Sequence, residues 1–176
     1  MWFKVMSTTD KDKFKADLLQ MLKNSDKDFV PPLSSRRSTT QSDFSLSGGD
    51  KDGILSYYNE MNNQQILGVL DENKLIAFVS YKEDYLSEQV TGGKLPNIYV
   101  STLLLKPEAR GKHLTYRIYD YLFNTLYPNS SVFTRTWSTN IAHIKILDKF
   151  GFENYITKVN DRGDGIDTVY FRKLRL

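Results

Sequence analysis

The chain has no cysteine and only two histidines in 176 residues. The first absence excludes disulfides and thiol catalysis without naming a compartment, and together the two leave too few ligands for an expected metal centre. No apolar run approaches membrane-spanning length and the first residues lack a signal-peptide pattern, so the expected location is the cytoplasm. Neither sign of charge dominates: 24 basic and 21 acidic residues give a net +3 spread along the chain, which favours a solvated surface over a nucleic-acid groove. There is no internal repeat. What is present is a 40% hydrophobic, 13% aromatic chain, the composition of one domain over residues 1–176 with a substantial core.

Trp2 to Met6 alternates as a short strand, and Thr8 or Thr9 can cap a helix whose Phe14, Leu18, Met21 and Leu22 form one core stripe. From Asn24 to Asp50 the periodicity disappears into a Ser- and Thr-rich stretch, stiffened by Pro31-Pro32 and loosened by Gly48-Gly49, which is the pattern of a long loop. Gly53 to Met61 reads as a helix with Ile54, Tyr57, Tyr58 and Met61 on one face. The apolar runs Gln65 to Leu70 and Leu75 to Tyr81 flank Asp71 to Lys74, a hairpin signal. Glu83 to Pro96 is a polar loop containing Gly92-Gly93. Near the end, Glu153 to Val159 and Thr168 to Leu174 flank a turn over 161–165 and form a last hairpin.

Asn97 to Tyr127 reads as strand, sharp turn and helix. Ile98 to Leu105 is β-branched and aliphatic, Pro107 ends it, and Arg110-Gly111-Lys112 leads into Leu114, Ile118, Leu122 and Leu126 at helical spacing. The first N–H groups of a helix lack internal partners and carry the positive end of its dipole. Gly111 lets the backbone approach an anion, Arg110 and Lys112 add charge, and Thr115 adds a hydroxyl. That turn suits a phosphate-bearing ligand, and an ordinary basic surface turn is the other reading. A second strand-to-helix unit follows, with a strand from Ser131 to Trp137, Ser138 or Thr139 as cap, and Gly151 as the stop before Phe152.

Leu105-Lys106-Pro107-Glu108-Ala109-Arg110-Gly111-Lys112-His113-Leu114-Thr115 resembles the first acyl-CoA motif of the GCN5-related N-acetyltransferases, and Asn140 through Gly151-Phe152 resembles the second. His113 stands where that family usually has glycine, and Thr115 where it usually has glycine or alanine. Leu147 stands where many members carry the tyrosine that protonates the departing thiolate. The resemblance implies an α/β fold: a mixed, mostly antiparallel twisted sheet of about seven strands flanked by about four helices, with a splayed central strand pair.

It also implies direct transfer of an acetyl group from acetyl-CoA to a primary amine in a ternary complex. Backbone N–H groups of Leu103, Leu104 and Leu105 would bind the pantetheine; Arg110, Gly111, Lys112, His113, Leu114 and Thr115 the pyrophosphate; and Asn140 the pantetheine region or the second helix start. The implied acceptor site lies under the long loop, with Phe29, Leu33, Arg36 and Tyr57 as candidates. A base is needed, yet the central strand carries no carboxylate between Asn97 and Leu105. Glu60, Glu83 and Asp84 are nearest by topology, each also readable as a surface charge. Tyr99 can pass a proton through water, and Tyr155 can stand in for the missing tyrosine. A small-molecule amine, a peptide and an aminoacyl-tRNA stay open as acceptors, and so do monomer and homodimer. The rival reading is a non-catalytic CoA-binding module that has kept the fold.

Overall fold

A computed structural model describes residues 1–41, 44, 52–87, 92 and 94–175. The Gly48-Gly49 pair and Gly93 of the two expected loops lie outside the described residues. The chain divides into two compact units, Met1–Ser80 with Thr102–Leu114 and Tyr81–Ser101 with Thr115–Leu176.

In the first unit, β1 (Trp2–Val5) pairs antiparallel with β2 (Gln65–Asp71) in the register Trp2↔Leu70 to Val5↔Leu67. The expected single helix is two, α1 (Thr8–Lys13) and α2 (Lys15–Asn24), because the helix breaks at Phe14. The cap also falls one residue earlier than expected. Ser7 and Asp10 close a reciprocal box: Ser7 Oγ accepts from the Asp10 N–H at 3.2 Å, and the Ser7 N–H donates to the Asp10 carboxylate at 3.0 Å. The predicted stripe survives the break, since Phe14, Leu18, Met21 and Leu22 pack with Tyr57, Tyr58 and Met61 of α3 (Gly53–Asn62) and with Ile66, Leu70, Leu75, Phe78 and Leu104. Gly53 is required where α3 starts, because a Cβ there would lie 1.7 Å from the Ser34 carbonyl oxygen.

β2 turns into β3 (Lys74–Glu83) through Glu72 and Asn73, both left-handed at φ 46° and 64°, as the hairpin signal predicts. β3 and β4 (Asn97–Leu105) contribute residues to both units.

The second unit adds α4 (Leu114–Tyr121), β5 (Ser131–Trp137), α5 (Ile141–Lys149), β6 (Glu153–Lys158) and β7 (Thr168–Lys173). The helical spacing read over Leu114 to Leu126 changes period at its end: Leu122–Leu126 is a π-turn closed by the Tyr127 N–H on the Leu122 carbonyl at 3.0 Å. Gly151, at φ 74°, stops α5 in the left-handed position its sequence demands. Strand order is β1-β2-β3-β4-β5-β7-β6, with β4 and β5 parallel and β7 antiparallel to both β5 and β6. This is the mixed sheet expected from the resemblance. Among the described residues no helix is long and apolar enough to cross a membrane.

Candidate active site

After β4, Pro107–Ala109 forms a single tight turn in which the Arg110 N–H bonds the Pro107 carbonyl at 3.1 Å. Gly111 follows at φ 72° and His113 at φ 55°, and α4 begins at Leu114. Two of the three residues before α4 are therefore left-handed, and the first amides of a helix have no partner within it. The space above Gly111 is open, since a Cβ built there meets no atom within 4 Å. Arg110 is half-exposed and pairs with the exposed Asp28 carboxylate at 3.2 Å, a contact solvent screens heavily. The open space at Gly111, the start of α4 and the cationic Arg110 and Lys112 are a donor set of the kind that would suit a pyrophosphate.

The same geometry bears on the departure at His113. A glycine is usual at position 113 because the backbone there is left-handed, and histidine is among the side chains that tolerate that region at a cost. His113→Gly is therefore expected to stabilise the fold by about 1 kcal/mol, read as a raised denaturation midpoint with an unchanged slope.

β4 outruns its pairing with β5. The parallel register covers Asn97↔Ser131 to Val100↔Thr134, and β4 continues to Leu105. Thr134 marks the end point by donating its hydroxyl to the Val100 carbonyl at 3.0 Å. On its β3 side, the Lys106 N–H bonds the Ile76 carbonyl at 2.8 Å. Leu103 and Leu105 are half-buried, whereas the Leu104 side chain belongs to the core of the first unit.

The four acceptor-site candidates occupy structural places within the first unit. Tyr57 is buried, with its hydroxyl 2.7 Å from Thr102 Oγ1 on β4. Leu33 is fully buried and Phe29 packs on the same core. Arg36 is buried under Phe29 and Phe44, and its Nε donates to the Pro31 carbonyl at 3.0 Å. Residues 26–34, the first part of the loop that carries Phe29 and Leu33, are tied together, because the Asp26 carboxylate accepts from the Ser34 N–H at 2.7 Å and the Ser34 hydroxyl at 2.9 Å. Glu60 ties the same loop to α3, where its two oxygens accept from the Thr39 N–H at 2.8 Å and the Thr39 hydroxyl at 2.7 Å.

In the second unit, Asn140 precedes α5 without a side-chain cap bond and donates its amide to Thr136 Oγ1 at 3.0 Å, fixing the turn between β5 and the helix. Glu83 ends β3 and accepts from the Tyr127 hydroxyl at 2.6 Å, and that hydroxyl lies 3.2 Å from the buried Tyr81 hydroxyl. The π-turn is what delivers Tyr127 to this chain of polar groups. Burial first, then Glu83 and Tyr81, push the Tyr127 phenol far up, so it stays protonated and can donate. Tyr99 is buried and its phenol is pushed up to about 12 by desolvation, with Arg135 pulling the other way. Tyr155 is also pushed up by burial, and Leu147 is fully buried.

Sequence reading missed a part-buried pair that joins the two helices of this unit, Tyr119 of α4 and His143 of α5, with hydroxyl and Nε2 2.6 Å apart. Desolvation lowers the imidazole from 6.5 to about 4, so it is neutral and shares a hydrogen bond with the Tyr119 hydroxyl. The linkage runs downward. An unfolded histidine binds a proton below its ordinary pKa while the folded one does not, so this contribution is complete above about 6.5 and is lost as pH falls toward 4, by up to about 3 kcal/mol. Acid titration of stability should show this slope, and His143→Gln, which keeps an acceptor for Tyr119, should flatten it.

Sequence reading also passed over Arg135. Its signal is the alternation of β5, where Phe133, Arg135 and Trp137 share one face.

A family model described as acetyltransferase (GNAT) family matches residues 33–152. No curated protein matches the chain. Among solved structures, a ribosomal-protein-alanine N-acetyltransferase from Brucella melitensis is 13% identical, with 99% of each chain covered and a TM-score of 0.65. YncA from Salmonella typhimurium, solved with its cofactor acetyl-CoA, is 14% identical over 100% of this chain and 94% of that one, with a TM-score of 0.65. An aminoglycoside 6′-N-acetyltransferase complexed with coenzyme A is 11% identical over 98% of this chain and 96% of that one, with a TM-score of 0.68. At such identities the likeness is one of fold.

Proposed function

The chain belongs to the acetyltransferase (GNAT) family, and from that premise we propose that it transfers the acetyl group of acetyl-CoA directly to a primary amine. The observation that carries this reading is the pair of left-handed residues, Gly111 and His113, that leads into α4 next to Arg110 and Lys112 in the chain. YncA and the aminoglycoside acetyltransferase, whose structures hold acetyl-CoA and coenzyme A, support the choice of ligand.

Acetyl-CoA supplies an acetyl group already activated as a thioester. The protein's own part is to bind, orient and manage protons. Amides from 110–115 and the two cations would hold the pyrophosphate, while backbone N–H groups of Leu103 to Leu105 would align the pantetheine and polarise the carbonyl. Asn140 would act by keeping the start of α5 in order. Fixing two reactants in attack geometry can remove as much as roughly 7–11 kcal/mol of barrier, so positioning can supply much of the rate.

The amine must lose a proton before it attacks. Of the candidate carboxylates, Glu60 is engaged by Thr39 at both oxygens, whereas Glu83 ends a chain of hydroxyls that leads inward through Tyr127 to Tyr81. This favours Glu83 as the proton store. Leu147 has no proton to give, so the leaving thiolate takes its proton from solvent or from the ammonium the reaction forms.

The acceptor is an amine. The structural neighbours are named for acceptors that range from a protein alanine to an aminoglycoside, so fold alone does not choose among them.

Calorimetric titration with acetyl-CoA, with adenosine 3′,5′-bisphosphate as a control for the nucleotide end, tests the ligand. The expected result is saturable binding that is tighter for the intact thioester-bearing molecule, followed by amine-dependent release of CoA. Absence of binding at millimolar acetyl-CoA would overturn the reading.

A further inference from the structure

One face of the sheet in the second unit carries chemistry that the acetyl-CoA reading does not use. The strand registers set Tyr99 beside Phe133, Arg135 beside Tyr170, and Phe133 beside Arg172. Tyr155 sits where β6 shifts register between Asn154 and Ile156, and its ring stands edge-on to Phe133 at 6.2 Å and to Tyr170 at 6.4 Å. Arg135 Nη1 donates to the Tyr170 hydroxyl at 3.4 Å, and the Arg172 guanidinium lies 4.9 Å over the Tyr155 ring. Phenols and guanidinium groups therefore gather on one patch.

Two observations give the patch a direction. The Tyr155 hydroxyl is buried and has no hydrogen-bond partner among the described residues. A phenol buried in that state is costly unless something else accepts its proton. Arg135, meanwhile, is the first β5 residue after Thr134, where the parallel register with β4 ends. The groups also act on one another: after desolvation, Arg135 pulls the Tyr99 phenol down, and Tyr99 and Tyr170 push the Tyr155 phenol up.

A ligand group that meets a guanidinium and two phenol hydroxyls must accept hydrogen bonds, and a negative charge suits it best. An ammonium is repelled from the same spot, so the amine end of an acceptor points away from it. We propose that Arg135, Tyr155 and Tyr170 bind a carboxylate on the acceptor, and that the protein acetylates small amines carrying a carboxylate close to the amine, as free α-amino acids do. This rests on the acetyltransferase reading and deepens it. A peptide N-terminus, whose nearest carbonyl is a neutral amide, is disfavoured by the same chemistry.

The test compares CoA release by the full chain with α-amino acids and with the corresponding amino-acid amides. An amide has the less basic amine, so without an anion site it reacts at least as fast as the acid. The expected result is a kcat/KM higher for the acids by about ten- to a hundredfold, the range for hydrogen bonds to a charged group. Tyr155→Phe removes only the buried hydroxyl. It is expected to raise the acid KM about tenfold, with the thermal midpoint unchanged or higher and acetyl-CoA binding unaltered. Arg135→Gln is expected to erase the preference for acids over amides. Equal use of acids and amides, turnover of neither by protein that binds acetyl-CoA, or an unchanged KM in Tyr155→Phe overturns the assignment. Failure to bind acetyl-CoA at all is read separately by calorimetry and brings down the acetyltransferase reading itself.

Discussion

Leu147→Ala is expected to cost about 2–5 kcal/mol of folding stability, which for a chain of this size lowers the melting midpoint by roughly 5–15 °C. Leu147 is fully buried in α5. Its carbonyl accepts from the Phe150 N–H at 3.0 Å and the Phe152 N–H at 3.1 Å, so the backbone at this position also forms the helix end. Shortening the side chain removes buried methyl groups and leaves a cavity under a stretch that cannot easily collapse, since two aromatic residues are anchored to the same carbonyl. Denaturant unfolding with an unchanged slope is the readout. The result also bears on chemistry, because the resembling family often has a tyrosine here. Activity lost from Leu147→Ala at undiminished stability would mean that the side chain serves the reaction rather than the core.

Arg110→Glu is expected to weaken acetyl-CoA binding by about a hundredfold or more. Losing one charge-assisted bond to a phosphate accounts for about ten- to a hundredfold, and placing a carboxylate at the same spot adds repulsion. Its fold should tolerate the change, because Arg110 is half-exposed and its visible partner is the exposed Asp28. That partner supplies an internal control. Asp28→Asn frees the guanidinium from a screened surface pair and should tighten binding slightly, about twofold. Both effects should shrink as salt rises. If Arg110→Glu binds acetyl-CoA as tightly as the parent chain, the pyrophosphate does not lie at this turn.

Neither prediction depended on knowing the acceptor, and the reason lies in how each part of the chain could be read. The turn into α4 was legible because its parts are neighbours in sequence: an aliphatic strand, Pro107, Gly111, then apolar residues at helical spacing. Even the unusual His113 is local, a side chain set on a backbone conformation that the turn demands. The same holds for Gly151 after α5 and for the hairpin through Glu72 and Asn73. Where reading failed, the missing information came from elsewhere in the chain. The first helix was expected unbroken, yet it divides at Phe14, which packs with residues of α3 and β2. Glu60 was read as a possible base, and only the fold brings Thr39 to both of its oxygens.

Sequence by itself determined the order of strands and helices apart from the break at Phe14, the turn into α4 and the identity of the family, because periodicity, turn chemistry and helix starts depend on residues a few positions apart. Tertiary structure alone decided which polar groups meet. Arg135 reaches Tyr170 across thirty-five positions, His143 reaches Tyr119 across twenty-four, and Tyr127 reaches Glu83 across forty-four. The register of β5 with β7 sets the first of these meetings, the packing of α4 with α5 the second, and the π-turn after α4 the third. A pattern of side chains along one strand shows which face each occupies, but not which strand lies beside it.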